Sequence, residues 1–189
     1  PSIHQIPSNL RVGVVGVGSI GARHLRNLSA MGAHELVATD LDPSRQDVVA
    51  DVERAAWVGS VNELLARPVD VVFVCTPTHL HAEVAIAALR AGAHVFIEKP
   101  ISVTMDHADL IVQEAARFSS VVMVGCNMRF HPGVSALKQA MDNSLVGQPW
   151  LIKADFGQYL PNWRPTKDYR STYSSRVAEG GGIVLEAVH

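Results

Sequence analysis

Apolar residues along the first two thirds of the chain come in short, nearly unbroken runs, at 11–16, 36–40, 70–76, 94–98 and 121–126. Runs of this length without polar alternation predict strands buried on both faces, as in a parallel sheet covered by helices. The stretches between them predict helices beginning near Ile20, Val61, Leu80 and Asp106. Start and stop signals agree with this. Ser60-Val61-Asn62-Glu63 has capping-box spacing, and Gly92 can end the alanine-rich helix through His81 to Arg90 in a left-handed C′ conformation. Alternation of strand and helix from residue 11 to about 126 is the pattern of βαβ units, which predicts an α/β chain built on a doubly wound parallel sheet.

After Cys126 the texture changes. Pro132 can open a short helix with Val134, Leu137 and Met141 on one face, and Gly147-Gln148-Pro149 then breaks into the run Trp150 to Phe156, which predicts the first strand of another unit. Residues 157–176 are polar, aromatic and punctuated by proline, and Gly180-Gly181-Gly182 leads into the apolar run that ends at His189. One strand and a long irregular stretch cannot bury an apolar face, so the expectation is a first domain over 1–127 and an incomplete second α/β domain over 128–189.

At 189 residues, 48% hydrophobic and 18% charged, the chain can bury one core and part of a second. A net charge of −2 with no block of like charge argues against nucleic acid or an anionic membrane surface as the main partner, leaving small molecules or further copies of the chain. Cys75 and Cys126 both lie in apolar runs and read as reduced core thiols, in keeping with a cytoplasmic address. No secretory leader is expected from Pro1 to Pro7, and no run is long enough to span a membrane. No metal site is expected, since the nine histidines lack ligand spacing.

The densest chemistry lies in the turn after the first strand, Gly16-Val17-Gly18-Ser19-Ile20-Gly21. Gly16 permits the tight strand-to-helix turn, Gly18 lets backbone approach a pyrophosphate, Gly21 permits close helix–strand packing, and the helix start at Ser19 and Ile20 offers unpaired N–H groups. Asp40 ends the second apolar run 19 residues beyond Gly21, where a dinucleotide site needs a carboxylate for a ribose hydroxyl. Its charge would repel a 2′-phosphate, which favours NAD, while nearby Arg45 softens that repulsion and leaves NADP use open. The bland alternative is an ordinary turn with Asp40 capping a loop.

Two further segments end strands at the ligand-facing edge of an open α/β sheet. In Thr76-Pro77-Thr78-His79-Leu80-His81 the two threonines are placed to touch a cofactor, and His81 is either a functional group or a helix-start residue bonded to backbone. In Glu98-Lys99-Pro100 the Lys99 ammonium can bond a substrate hydroxyl and stabilise alkoxide character, and Pro100 can hold a cis bond that re-aims Lys99. A surface Glu–Lys pair is the plain alternative.

Together these elements resemble the glucose-fructose oxidoreductase and inositol dehydrogenase family, through the glycine turn with His24, through Thr76 to His81, through Ala91 to Pro100, and through Arg129-Phe130-His131-Pro132. The resemblance implies a Rossmann domain followed by an α/β domain whose sheet joins subunits into a homo-oligomer. It implies Gly16, Gly18, Ser19, Ile20, Gly21, Asp40, Arg45, Thr76, Pro77, Thr78, His81, Glu98 and Asn127 as the cofactor side, with Glu98 near the nicotinamide ribose and Asn127 at the carboxamide. Lys99 would bond the reacting oxygen, and Glu186 and His189, after the glycine cluster, would be the second catalytic element with His189 as proton acceptor. Many family members carry Asp with the histidine four residues on, whereas Glu186 and His189 are three apart. Arg129, Trp163 and Arg164 are the candidate substrate contacts, with Lys167, Tyr169 and Arg170 in the same basic-aromatic segment. The expected activity is NAD-linked hydride transfer on a sugar, cyclitol or sugar-nucleotide derivative. A dinucleotide-binding regulator, or an inactive NAD-binding fragment, is the competing expectation.

Overall fold

The computed structural model describes residues 7, 9–155, 157, 159, 162 and 168–182. Within them, six parallel strands form one sheet in the order β3-β2-β1-β4-β5-β6. The strands are β1 (Arg11–Val15), β2 (Glu35–Thr39), β3 (Ala55–Trp57), β4 (Val71–Val74), β5 (His94–Ile97) and β6 (Val122–Val124). The helices are α1 (Ser19–Ala30), α2 (Gln46–Ala50), α3 (Val61–Leu65), α4 (His81–Arg90), α5 (Met105–Arg117) and α6 (Pro132–Asp142). This is the Rossmann strand order, and its direction reverses between β1 and β4.

Each face has its own core. On one face Val12, Val14, Leu36 and Ala38 of β1 and β2 pack with Leu25 and Leu28 of α1 and Val49 of α2, all buried. On the opposite face Leu64 of α3, Leu89 of α4 and Ile111 of α5 pack with Val37, Val72, Val74, Val95 and Ile97 of the strands. Burying side chains of this size contributes roughly 1.5–3 kcal/mol each, which is why these strands carry no polar alternation. The register aligns Val15 with both Thr39 and Val74, and Val74 with Ile97, so the segments after β1, β2, β4 and β5 leave the sheet at one level.

Local signals take their expected form at several ends. Ser60 Oγ accepts from Glu63 N–H at 3.2 Å, and the Glu63 carboxylate reaches back to the Gly59 N–H at 3.1 Å. Gly92 adopts φ +86°, and Ala93 N–H donates to Ala88 O at 3.1 Å, closing a Schellman-type end on α4.

Other elements depart from expectation. The edge strand β3 has only three half-buried residues, and the short apolar run Ala55 to Val58 that carries it is not among the expected strands. At the other edge Met123 of β6 is exposed, because no helix among the described residues covers that side. The predicted strand from Trp150 is not formed: residues 150–155 carry no regular element and Trp150 is 96% exposed. A strand needs a neighbour for its N–H and C=O groups, and among the described residues none lies beside this run. Helix α6 forms after Pro132 as expected, but it buries no residue.

Candidate functional site

The level strand ends bring the glycine turn, Asp40, the Thr76 turn and Glu98-Lys99 to one edge, across the point where strand order reverses. The three glycines meet different constraints. Gly16 has φ +90°, and a Cβ there would lie 2.7 Å from the Cys75 backbone, so the turns after β1 and β4 can touch only without a side chain. A Cβ on Gly21 would fall 1.8 Å from Gly16 O. Gly18 is the opposite case, with nothing within 4 Å of its Cβ position. That open space lies at the N-terminus of α1, a 12-residue helix with no side-chain cap and no acid in its first turn. The helix dipole and the first N–H groups there suit an anion, so this cradle fits a pyrophosphate.

Asp40 is tied to that cradle. Its Oδ2 accepts from Val17 N–H at 2.5 Å and its Oδ1 from Asp42 N–H at 2.9 Å. An ionised carboxylate has roughly four lone-pair sites, so capacity for a ribose hydroxyl remains. Arg45 pairs instead with Asp42, Nε to Oδ2 at 3.4 Å, both groups well exposed. Hydrogen bonds from Ser44 and the Arg45 charge hold the Asp42 carboxyl below its ordinary range.

In the next turn Thr76 Oγ1 is buried with no hydrogen-bond partner, the condition of a hydroxyl that a bound polar ligand would satisfy. Pro77 caps the short 3-10 turn Thr78–Leu80. Thr78 is buried against Gly180, whose Cβ position lies 2.7 Å from the Thr78 Cβ. His81 does not face a ligand. It is 1% exposed, and its Nδ1 and Nε2 lie 2.9 Å from the carbonyls of Pro100 and Thr76. Burial pushes its pKa below the ordinary value, and the hydrogen bonds to the Thr76 and Pro100 carbonyls act against that shift. The backbone-bonded reading of His81 therefore replaces the cofactor-facing one, and the side chain straps the Thr76 turn to the Pro100 turn.

The Lys99–Pro100 bond is cis. Before it, Glu98 Oε1 accepts from His24 Nε2 at 2.6 Å. Burial disfavours the Glu98 charge, but the hydrogen bond and charge of His24, with the Lys99 backbone N–H, outweigh it and hold the carboxyl below its ordinary range. Burial pushes the Cys75 thiol far up, and the Glu98 charge adds to this, which fits a core thiol. Asn127 and Arg129 lie in the exposed 3-10 turn Asn127–Phe130 that follows β6.

One association had no sequence signal: the glycine cluster docks on the β4–α4 turn. Gly180, at φ +84°, and Gly181 are buried there, and His79 Nδ1 sits 3.4 Å from Glu179 O. Trp163, Arg164, Glu186 and His189, with Lys167, lie outside the described residues. Sequence reasoning also missed the partnership of His24 with Glu98. Its signal was a histidine between the buried positions Ala22 and Leu25 of an amphipathic helix.

Residues 10–126 match the oxidoreductase family with the NAD-binding Rossmann fold, the Gfo/Idh/MocA family. The chain belongs to this family. It is 31% identical to the myo-inositol 2-dehydrogenase of Thermotoga maritima over 182 residues, which cover 94% of this chain and 51% of that protein. Among solved Gfo/Idh/MocA-like structures, UDP-N-acetylglucosamine 3-dehydrogenase GnnA from Acidithiobacillus ferrooxidans is 35% identical, with a TM-score of 0.65 over 70% of this chain and 43% of that one. The WlbA dehydrogenase from Chromobacterium violaceum, solved with NADH and UDP-GlcNAcA, is 28% identical, with a TM-score of 0.70 over 75% of this chain and 42% of that one. The chain spans about half the length of the curated relatives it matches. Among the described residues no helix is long and apolar enough to cross a membrane, and no cluster of His, Cys, Asp or Glu is gathered to hold a metal.

Proposed function

We propose that this chain carries the cofactor side of an NAD-linked dehydrogenase acting on a CH–OH group of a sugar, cyclitol or sugar-nucleotide derivative. The observation that carries this reading is the convergence, at one strand-end edge, of an open cradle at Gly18, the Asp40 carboxylate, the unpartnered Thr76 hydroxyl and the Glu98-Lys99 pair. The named activities of the inositol and UDP-sugar dehydrogenase relatives support the substrate class.

In the balanced reaction, a secondary alcohol and oxidised NAD give a ketone, NADH and a proton. NAD supplies the acceptor carbon for the hydride. The chain's own residues bind and orient. The α1 N-terminus and Gly18 hold the pyrophosphate, with Ser19 and Ile20 presenting backbone N–H groups. Asp40 accepts from the adenosine ribose, which disfavours a 2′-phosphate. Thr76 and Glu98 take the nicotinamide end, with Asn127 at the carboxamide. Lys99 donates to the reacting oxygen, stabilising alkoxide character as the hydroxyl proton leaves. By the family resemblance His189 accepts that proton, helped by Glu186, and Arg129, Trp163 and Arg164 contact the substrate.

Residues 128–189 are read as the opening of a second domain, which would join copies of the protein through its sheet. Support comes from α6, which buries nothing, and from the exposure of Phe130, Leu145, Trp150 and Leu151. A cytoplasmic enzyme fits the reduced thiols. The test is a spectrophotometric screen of inositols, hexoses and UDP-sugars with NAD and with NADP. Reduction of NAD by members of one of these classes is expected. No cofactor reduction with any of them, beside no calorimetric NAD binding, would reject the proposal.

A further inference from the structure

His24 is the sixth residue of the helix whose start forms the phosphate cradle, and Glu98 follows β5, 74 residues later in the chain. Their 2.6 Å contact is largely shielded, with side-chain exposures of 17% and 16%. The imidazole is fixed from two further directions. Its centroid lies 5.3 Å from the Phe73 ring and 5.2 Å from the Phe96 ring, and those two rings stack on each other at 4.6 Å. Phe73 and Phe96 are register partners on adjacent strands, so the wall that holds the imidazole is the sheet itself. Glu98 is confined too. A Cβ on Gly125 would lie 2.9 Å from Phe96 Cζ and 3.5 Å from Glu98 Cδ, and the Glu98 N–H donates to Val74 O at 3.0 Å.

An aromatic wall leaves the imidazole few rotamers, and a shielded charge-assisted hydrogen bond is stronger than an exposed one. The pair therefore links the phosphate-binding helix to the strand end that carries Lys99. His24 is not placed in contact with the cofactor. What it holds is the carboxylate that the proposed function puts at the nicotinamide ribose.

We propose that His24 is a positioning residue of the dinucleotide site: by donating to Glu98 it fixes that carboxylate in one orientation, with lone pairs left for a ribose hydroxyl, and so couples the helix that binds the pyrophosphate to the edge that binds the nicotinamide end. This rests on the NAD-binding reading of the edge. A purely structural His24 would lower stability in any background. A positioning His24 lowers NAD affinity only while Glu98 can accept.

The experiment is a calorimetric double-mutant cycle with NAD as the probe, on wild type, His24→Leu, His24→Gln, Glu98→Leu and the His24→Leu/Glu98→Leu pair, with thermal unfolding of each. His24→Leu is expected to weaken NAD binding about tenfold, the scale of one hydrogen bond to a charged group. His24→Gln places an amide donor near the Nε2 position and is expected to stay within about threefold of wild type. In the Glu98→Leu background, which has no acceptor for His24, His24→Leu is expected to change affinity less than about twofold, because the interaction it removes is already gone. Wild-type affinity in a folded His24→Leu protein would overturn the inference, as would an equal loss in both backgrounds. Should His24→Leu not fold, His24→Asn, whose amide is too short to reach Glu98, takes its place under the same criteria. A wild type that binds neither NAD nor NADP would instead remove the site reading itself, whereas binding by wild type with a silent His24 variant removes only this inference.

Discussion

Asp40 accepts a hydrogen bond from the Val17 backbone, so the acid that follows β2 and the glycine turn that follows β1 form one unit. The same carboxylate that can recognise a ribose hydroxyl also sets the distance between the two turns that would flank it. Cofactor choice and the shape of the cradle are therefore coupled at one side chain.

From this, Asp40→Ser should reduce any preference for NAD over NADP and should also weaken NAD binding itself, since the Val17 N–H loses its acceptor. Calorimetric titration of both cofactors checks it. Wild type is expected to favour NAD by at least about tenfold, the scale of one hydrogen bond to a charged group, and the variant to narrow that ratio. Equal or tighter NADP binding by wild type would reject the assignment of Asp40.

Gly18 and Gly21 should respond in opposite ways to the same added methyl. In Gly21→Ala the Cβ would stand 1.8 Å from Gly16 O, so backbone must move, at a cost of about 3 kcal/mol or more. The melting temperature should fall by roughly 6–12 °C for a domain of this size. Gly18→Ala meets nothing in the folded chain and should melt near wild type, yet bind NAD more weakly, because its methyl occupies the open space of the cradle. A Gly18→Ala protein with unchanged NAD affinity would place the pyrophosphate elsewhere.

These glycines were legible in the sequence because their roles are local: a turn, a close approach, a helix start. The buried strands were legible for a similar reason, since covering both faces of a sheet demands continuous apolar runs. What the sequence did not disclose depends on partners far along the chain. His24 meets Glu98, His81 meets Pro100, and Gly180 packs on Thr78, pairings that no spacing encodes. The run from Trp150 shows the converse. Its pattern is that of a strand, but pattern alone supplies no neighbour to pair with, and the described residues contain none beside it.

Lys99→Ala tests the chemistry apart from binding. Because the proposed function puts Lys99 at the reacting oxygen rather than in the phosphate cradle, NAD affinity should stay within a few-fold of wild type while kcat/KM falls at least ~100-fold, the range for a positioned proton-transfer or charge-stabilising group. Steady-state kinetics with the substrate found in the screen, beside calorimetry with NAD, separate the two quantities. Near-normal turnover would remove Lys99 from the mechanism.

The acid limit of stability should be set partly at the other end of the same strands. Asp70 precedes β4 and takes three hydrogen bonds from Arg11: the backbone N–H at 2.8 Å, Nε at 3.1 Å and an Nη at 2.7 Å. The Arg11 side-chain and backbone hydrogen bonds, larger than the opposing effect of burial, hold the Asp70 carboxyl below its ordinary range. A carboxyl whose pKa is lower folded than unfolded contributes stability that is complete above the unfolded value, near 3.8, and is lost as pH falls through the folded one. Both partners are about a third exposed, so solvent screening keeps the contribution small. Asp70→Asn should therefore destabilise the protein modestly at neutral pH, and the gap between the two unfolding curves should close as pH is lowered below about 4, once both chains are uncharged at this position. Urea unfolding of wild type and variant across the acid range reads this directly, and a gap that stays constant down to the lowest accessible pH would show that Asp70 stabilises the strand ends without its charge.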